Sequence, residues 1–258
     1  MSLQGKGAVV TGGGRGIGAA VARELAAAGA KVVVAARGED EIGAVAEELR
    51  SAGAEAWAVR CDVTDEESVV ELARRAEESL RTVDVLVNNA GIAASAPLAR
   101  TTRAEWDRMM AVNATGVFLC TRAFIAPMVE RRWGRVVTVA SIAGKAGAAY
   151  ISAYVASKHA AIGFTRAVAM EVARTGVTVN AVCPGYVDTP LTDQSVARIA
   201  EKTGREPDEA RRLLEQRSPQ GRIYRADEVA WLVAVLCDPR SDGVNGQAVV
   251  LDGGSVQS

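Results

Sequence analysis

The chain has 258 residues, 49% of them hydrophobic and 24% charged, which fits one large α/β domain with a sizeable core. Lys+Arg 30 against Asp+Glu 31 leave a formal charge of −1, so neither a nucleic-acid partner nor a disordered acidic tail is expected. The lone histidine, His159, and four scattered cysteines, Cys61, Cys120, Cys183 and Cys237, argue against a metal site, a disulfide framework or a Ser-His-Asp triad.

The opening Met1 to Val10 is too short and too glycine-rich for a signal peptide. No run reaches the ~18 apolar residues of a membrane span. A cytoplasmic protein with no membrane partner is the expectation. From there, short β-branched runs alternate with longer amphipathic ones. The strands are expected at Gly7–Thr11, Lys31–Ala36, Ala56–Arg60, Val83–Asn88, Arg135–Ala140, Val177–Cys183 and Gln247–Leu251. Most are continuously apolar, as in parallel strands buried on both faces. The helices are expected at Ile17–Ala28, Glu41–Ala52, Glu66–Leu80, Arg103–Arg131, Ser152–Arg174 and Asp227–Leu236. This alternation predicts a Rossmann-type doubly wound parallel sheet of about seven strands with helices on both faces. With no interior linker or repeat, residues 1–258 read as a single domain. Leu191 to Gly221 breaks the rhythm with two helix-like pieces, Asp193–Lys202 and Pro207–Glu215. It is expected to be a helical substrate lid, with a surface hairpin or a subunit contact as the alternative.

Thr11-Gly12-Gly13-Gly14-Arg15-Gly16-Ile17-Gly18 follows the first strand and opens the first helix. Gly12, Gly16 and Gly18 allow a tight turn and close approach of a pyrophosphate to backbone N–H groups at the helix start. No Lys-Ser/Thr pair follows, so this is not a P-loop. The second strand ends at Ala36, and Arg37 comes next, where an NAD site usually carries a carboxylate. Arg37 and Arg15 suit a 2′-phosphate, which favours NADP(H), with NAD(H) as the alternative. Glu39 and Asp40 read as the start of the following helix. Asp62, before Val63 at the close of the third strand, is placed to accept from an adenine amino group, or else to cap a helix. Asn88-Asn89-Ala90-Gly91 closes the fourth strand, where two amides are able to tie adjacent loops together beside the cofactor.

Tyr154 and Lys158 lie one helical turn apart on the same face. A cation beside a phenol favours the phenolate and brings the tyrosine towards working pH, so Tyr154 is a candidate general acid/base. Ser141 lies upstream at the end of an apolar run. His159 is turned about 100° from that face and reads as packing rather than catalytic.

Taken in order, Thr11-Gly12-x-x-x-Gly16-x-Gly18, Asp62-Val63, Asn88-Asn89-Ala90-Gly91, Asn113, Ser141, Tyr154-x-x-x-Lys158, Pro184-Gly185 with Thr189, and Asp252-Gly253-Gly254 resemble the short-chain dehydrogenase/reductase family. The resemblance covers almost the whole chain. It implies that Tyr154 exchanges the proton and that Ser141 orients the substrate oxygen. Lys158 would bind the nicotinamide ribose and lower the Tyr154 pKa, and Asn113 would hold a water in a proton relay. Pro184, Gly185, Val187 and Thr189 would border the nicotinamide. A homotetramer is implied, paired through the alanine-rich helix Ser152–Arg174.

Within the family the chain is nearest to 3-oxoacyl ketoreductases of carrier-protein and polyketide systems, with some resemblance to 3-hydroxybutyrate dehydrogenases. The latter grip a carboxylate with a His and a Lys where this chain has Ala143 and Ile151. The expected reaction is hydride transfer between NADP(H) and a ketone, such as a 3-oxoacyl thioester, or its secondary alcohol. An NAD-dependent alcohol or 3-hydroxy-acid dehydrogenase is the alternative, and a non-catalytic NADP sensor a remote one. Lys145, Arg198, Lys202 and Arg205 stand either as contacts for an acyl arm or as solvated charges.

Overall fold

Valine-rich runs build the centre of the molecule. In the computed structural model, which describes residues 2–257, these runs form seven parallel strands. They are β1 Gly7–Thr11, β2 Lys31–Ala36, β3 Ala56–Arg60, β4 Val85–Asn88, β5 Gly134–Val139, β6 Val177–Pro184 and β7 Ala248–Leu251. The sheet order is β3-β2-β1-β4-β5-β6-β7. β1, β4, β5 and β6 are buried along their whole length, which is why their sequences do not alternate. β3 lies at an edge and is only partly covered: Ala56 and Val59 are buried, whereas Ala58 and Arg60 face solvent.

Helices cover both faces. On one, α1 (Gly16–Ala27), α2 (Glu39–Ser51) and α9 (Ala226–Cys237) bury Val21, Leu25, Ile42, Val45, Val229 and Val233 against the sheet. On the other, α3 (Glu66–Leu80), α5 (Gly116–Glu130) and α6 (Ser152–Glu171) bury Val69, Leu72, Leu119, Phe124 and Ala169. Asp65 caps α3 by accepting from the Glu67 N–H at 3.1 Å. Glu39 and Asp40 sit in the first turn of α2, where carboxylates complement the helix dipole.

The expected long helix over residues 103–131 is not continuous. It consists of α4 (Arg103–Met110), a π-helical turn at Ala111–Thr115, and α5. The Gly116 N–H reaches back to the Ala111 carbonyl, so one extra residue is accommodated and Asn113 is turned into the protein. The 103–130 stretch is long and apolar enough to cross a membrane by composition alone, but Leu119, Cys120, Phe124 and Met128 are packed in the core. The 191–221 excursion forms α7 (Pro190–Thr203) and α8 (Pro207–Glu215), joined by a small core of Val196, Ala210, Leu214 and Ile223.

Side chains also lock the far edge of the sheet. The buried Asn180 of β6 donates to the Val244 carbonyl at 2.7 Å and accepts from the Gln247 N–H at 3.0 Å, fixing the loop that delivers β7. Asn180→Ala leaves two backbone groups without partners. It should cost about 2–4 kcal/mol, read as a lower urea midpoint at unchanged slope.

Candidate active site

The site lies where the sheet order reverses, at the carboxyl ends of β1 and β4. The chain leaves β1 through Gly12, whose φ is +63°, and enters α1 through Gly16, at +54°. A Cβ on Gly18 would lie 2.1 Å from the Gly12 carbonyl oxygen and 2.4 Å from Asn89 Nδ2, so only glycine fits. Asn89 donates from Nδ2 to the Thr11 and Gly12 carbonyls, both at 3.0 Å. The Thr11 hydroxyl in turn accepts from the backbone N–H groups of Asn89 at 3.1 Å and Ala90 at 3.2 Å. The glycine turn is thereby stitched to the end of β4. No acidic side chain stands in the first turn of α1, and its backbone donors open towards the cleft.

One cleft of about 810 Å³ runs across these strand ends. Gly12, Arg15, Gly16 and Ile17 line it from the glycine turn, Arg37 from the end of β2, and Asp62 and Val63 from the end of β3. Asn89, Ser141, Tyr154 and Lys158 line its middle, and Pro184, Gly185, Val187 and Thr189 its far wall. Gly18 and Asn113 lie behind the surface, and His159 is exposed outside the cleft, bonded to the Val155 carbonyl at 2.9 Å.

Charges at the glycine end come in pairs. Arg15 meets Glu41 at 3.1 Å, and Arg37 meets Asp62 at a looser 3.9 Å. Arg37 remains 71% exposed and is free to turn towards an added anion. Partial burial alone would raise the Asp62 carboxyl, but hydrogen bonds from the Thr64 N–H and hydroxyl, with the Arg37 and Arg60 charges, hold it below its ordinary range. This end has the chemistry that suits a phosphorylated ligand: glycines give the approach, and two exposed guanidinium groups give the charge.

Ser141 ends the β5 run. Its Oγ accepts from the Ala143 N–H at 3.1 Å, which leaves the hydroxyl hydrogen for the phenol of Tyr154. Lys158 is buried on the same helix, its Nζ donating to the Val139 carbonyl at 3.0 Å and standing 5.8 Å from the Tyr154 ring centroid. The expected lowering of the Tyr154 pKa by Lys158 is not found in the protein alone. Burial pushes the phenol above its ordinary range, the Ser141 hydrogen bond offsets only part of this, and Tyr186 and Cys183 push further upward. Burial acts on Lys158 as well and brings its ammonium down to about 8.

Asn113 is a junction. It accepts from the Ile92 N–H at 2.9 Å, and its Nδ2 donates to the Ile92 carbonyl at 2.9 Å and to Ser157 Oγ at 3.0 Å. Gly91 lies between this amide and Lys158: a Cβ there would stand 3.3 Å from Asn113 Oδ1 and 3.5 Å from Lys158 Nζ. Of the basic residues weighed for an acyl arm, Lys145 donates to the Ala248 carbonyl at 3.2 Å, away from the cleft. Arg198 and Lys202 instead hold Ser95, at 3.3 and 3.4 Å. Arg205 is exposed beyond the end of α7. The sequence reading missed Thr11 as a hydrogen-bond hub and missed Arg217 and Tyr224 as lining residues. A hydroxyl ending the first strand was the one available signal.

Comparison with known proteins identifies the family. The family model for short chain dehydrogenases matches residues 6–200. The chain belongs to the short-chain dehydrogenase/reductase family. Among its relatives is the cis-4-hydroxycyclohexanecarboxylate dehydrogenase of Sinomonas cyclohexanicum, 43% identical over 96% of this chain and 95% of that one. The D-beta-hydroxybutyrate dehydrogenase of Cupriavidus necator is 36% identical over 98% and 99%. A crystal structure of a single-substitution variant of actinorhodin polyketide ketoreductase with NADPH superposes with a TM-score of 0.94 at 40% identity, covering 99% of both chains. This short-chain dehydrogenase is therefore an oxidoreductase of hydroxyl and keto groups.

The fit around Gly18 gives a direct check. Gly18→Ala should weaken NADPH binding by at least about 10-fold, since a backbone oxygen has to move to admit the methyl group. Fluorescence titration of the purified protein reads the change.

Proposed function

We propose that this short-chain dehydrogenase transfers a hydride between NADP(H) and a ketone or its secondary alcohol, with a 3-oxoacyl thioester or a related carbonyl compound as substrate. The observation that carries the reading is the convergence of Ser141, Tyr154 and Lys158 on the cleft that the glycine turn and Arg37 also line. The bound nicotinamide supplies or accepts the hydride; the protein supplies position, charge and a proton.

As a ketone is reduced, charge develops on its oxygen. Ser141 and Tyr154 are the donors aimed at that oxygen, and Tyr154 releases its proton to it. Ser141 is held by Ala143 and so presents its hydrogen without reorganising. A phenol raised by burial keeps its proton until the oxygen needs it, which suits the reducing direction. Lys158 holds the ribose hydroxyls and carries the positive charge next to the phenolate that Tyr154 leaves behind. Asn113 acts behind this pair: its π turn keeps Gly91 and Ile92 against Lys158, and the proton relay passes through a water held there.

Cofactor choice follows from the end of β2. Ala36 leaves room for a 2′-phosphate, and Arg37 and Arg15 balance its charge. The Glu41–Arg15 pair favours a second reading, an NAD-dependent secondary-alcohol or 3-hydroxy-acid dehydrogenase, because it occupies one of these cations. The hydroxybutyrate relative from Cupriavidus necator is compatible with that reading. α7 and α8 serve as the substrate lid, with Arg198 and Lys202 tying the lid to the Ser95 loop. The exposed Phe118 of α5 and Met170 of α6 favour a homotetramer paired through these helices.

Tyr154→Phe should lower kcat for ketone reduction by about 100- to 10,000-fold while NADPH affinity stays within a few-fold. Unchanged turnover would remove Tyr154 from the chemistry. Arg37→Ala should reduce the NADPH-over-NADH ratio of kcat/KM by about 10-fold or more; an unchanged ratio, or a wild type that prefers NADH, favours the second reading.

A further inference from the structure

The two ends of the cleft balance their charges differently. At the glycine end each lining cation faces a carboxylate, Arg15 with Glu41 and Arg37 with Asp62. Beyond Tyr154 no Asp or Glu among the described residues lines the cleft. Besides Lys158, the lining cations outside the glycine end are Arg222, Arg217 and Arg108. Arg222 is neutralised by the Glu228 carboxylate at 2.7 Å and stacked on Tyr224. Arg217 has no such partner: among the described residues its side chain bonds only to a neutral phenol, donating from Nη1 to Tyr186 Oη at 3.1 Å.

The backbone on both sides of this exposed contact is anchored. The Tyr186 carbonyl accepts from the Tyr224 N–H at 2.9 Å, and the Arg217 carbonyl accepts from Ser255 Oγ at 3.4 Å. Tyr186 also stands near enough to Tyr154 for the two phenols to feel each other's charge. An oriented guanidinium therefore waits one tyrosine away from the acid/base residue. The walls nearby are apolar, with Ala143, Ala148, Ile151 and Leu191. A cation held beside apolar walls, without a carboxylate, attracts an anion brought by the ligand. The short reach from Tyr154 suits an anion on the same small molecule. A pantetheine phosphate is separated from its thioester by a long flexible chain and would project past this position.

We infer that Arg217, positioned by Tyr186, binds a carboxylate carried by the substrate itself, so that the protein acts on oxo acids whose carboxylate lies several carbons from the carbonyl. The inference rests on the reductase reading above and narrows its substrate class. It also accounts for Ala143 and Ile151: the acid is held from the lid side of the cleft, and those positions pack against carbon. Arg108 of α4 is another lining cation without a carboxylate partner, but no side chain holds it in place among the described residues.

The test compares 5-oxohexanoate with its methyl ester, and both with acetoacetyl-CoA, by NADPH loss. Wild type should prefer the acid to the ester. Arg217→Gln should lower that preference by about 10- to 100-fold, mainly through KM. Arg217→Lys should restore part of it, Tyr186→Phe should lower it by a smaller factor, and Arg108→Gln should keep it. The idea is overturned if Arg217→Gln leaves the preference unchanged, if Arg108→Gln removes it instead, or if the loss falls on acetoacetyl-CoA alone. Calorimetry of 5-oxohexanoate with the NADP⁺ complex separates this idea from the reductase reading. If wild type reduces no ketone, the reductase reading fails, while binding seen in wild type and lost in Arg217→Gln still supports the anchor. No binding in wild type overturns the anchor.

Discussion

The stitch between Thr11 and Asn89 is the constraint from which the site is built. β1 and β4 are neighbours in the sheet but lie far apart in sequence, and the crevice between their ends has to be held to one width. Asn89 spans it with hydrogen bonds to two carbonyls, and the Thr11 hydroxyl answers with two more from the opposite side. Because Gly18 packs directly on this stitch, the start of α1 is fixed relative to β4 as well. The linkage continues: past Gly91, Ile92 is held by Asn113, Asn113 by Ser157, and the Ser157 hydroxyl donates to the Tyr154 carbonyl at 2.8 Å. A nearly unbroken path of hydrogen bonds thus runs from the glycine turn to the acid/base helix. Two halves of the cleft that fold from separate parts of the chain are held as one frame, which the proposed delivery of hydride and proton to one carbonyl group requires.

Burial governs the electrostatics inside that frame. Desolvation disfavours the charged form of both Tyr154 and Lys158, raising one pKa and lowering the other. The charged pair, phenolate beside ammonium, is the form the protein alone resists. Lys158 compensates by donating to the Val139 carbonyl, and the Ser141 hydroxyl offsets part of the burial penalty on Tyr154. In the proposed reaction the phenolate becomes accessible once another positive charge and the reacting oxygen share the pocket, so that Tyr154 would change protonation state with the reaction rather than with the solvent.

Much of this was legible in the sequence. β1 and β2 fall at the expected residues because a buried parallel strand is an uninterrupted apolar run, bounded here by Gly and Lys, and the half-exposed edge strand β3 falls at its expected residues as well. The glycine spacing, Arg37 and the Tyr154–Lys158 turn are local patterns, so they too could be read. The π turn at Ala111–Thr115 could not. One inserted residue leaves the apolar pattern of a long helix almost unchanged, yet it decides that Asn113 points inward. The pKa of Tyr154 was misjudged for a related reason: neighbouring charges are visible in a sequence, whereas the depth of burial that outweighs them is a property of the fold.

The lid side shows the same limit more sharply. Arg217 and Tyr186 are separated by 31 positions, and the sequence between them reads as a helical excursion with ordinary surface charge. Only the turn-back of α7 and α8, joined by Val196, Ala210 and Leu214, returns Arg217 to the strand end it left. Several arginines of this chain find a carboxylate on a neighbouring element, as Arg211 does with Asp188 and Arg222 with Glu228. Arg217 meets a phenol instead. An arginine–phenol contact gives direction without cancelling charge, because the phenol accepts one hydrogen and remains neutral. The remaining donors of that guanidinium are left facing the cleft. In the proposed reading, specificity rests on a charge left unbalanced at one wall, and cofactor affinity on charges that are nearly balanced at the other.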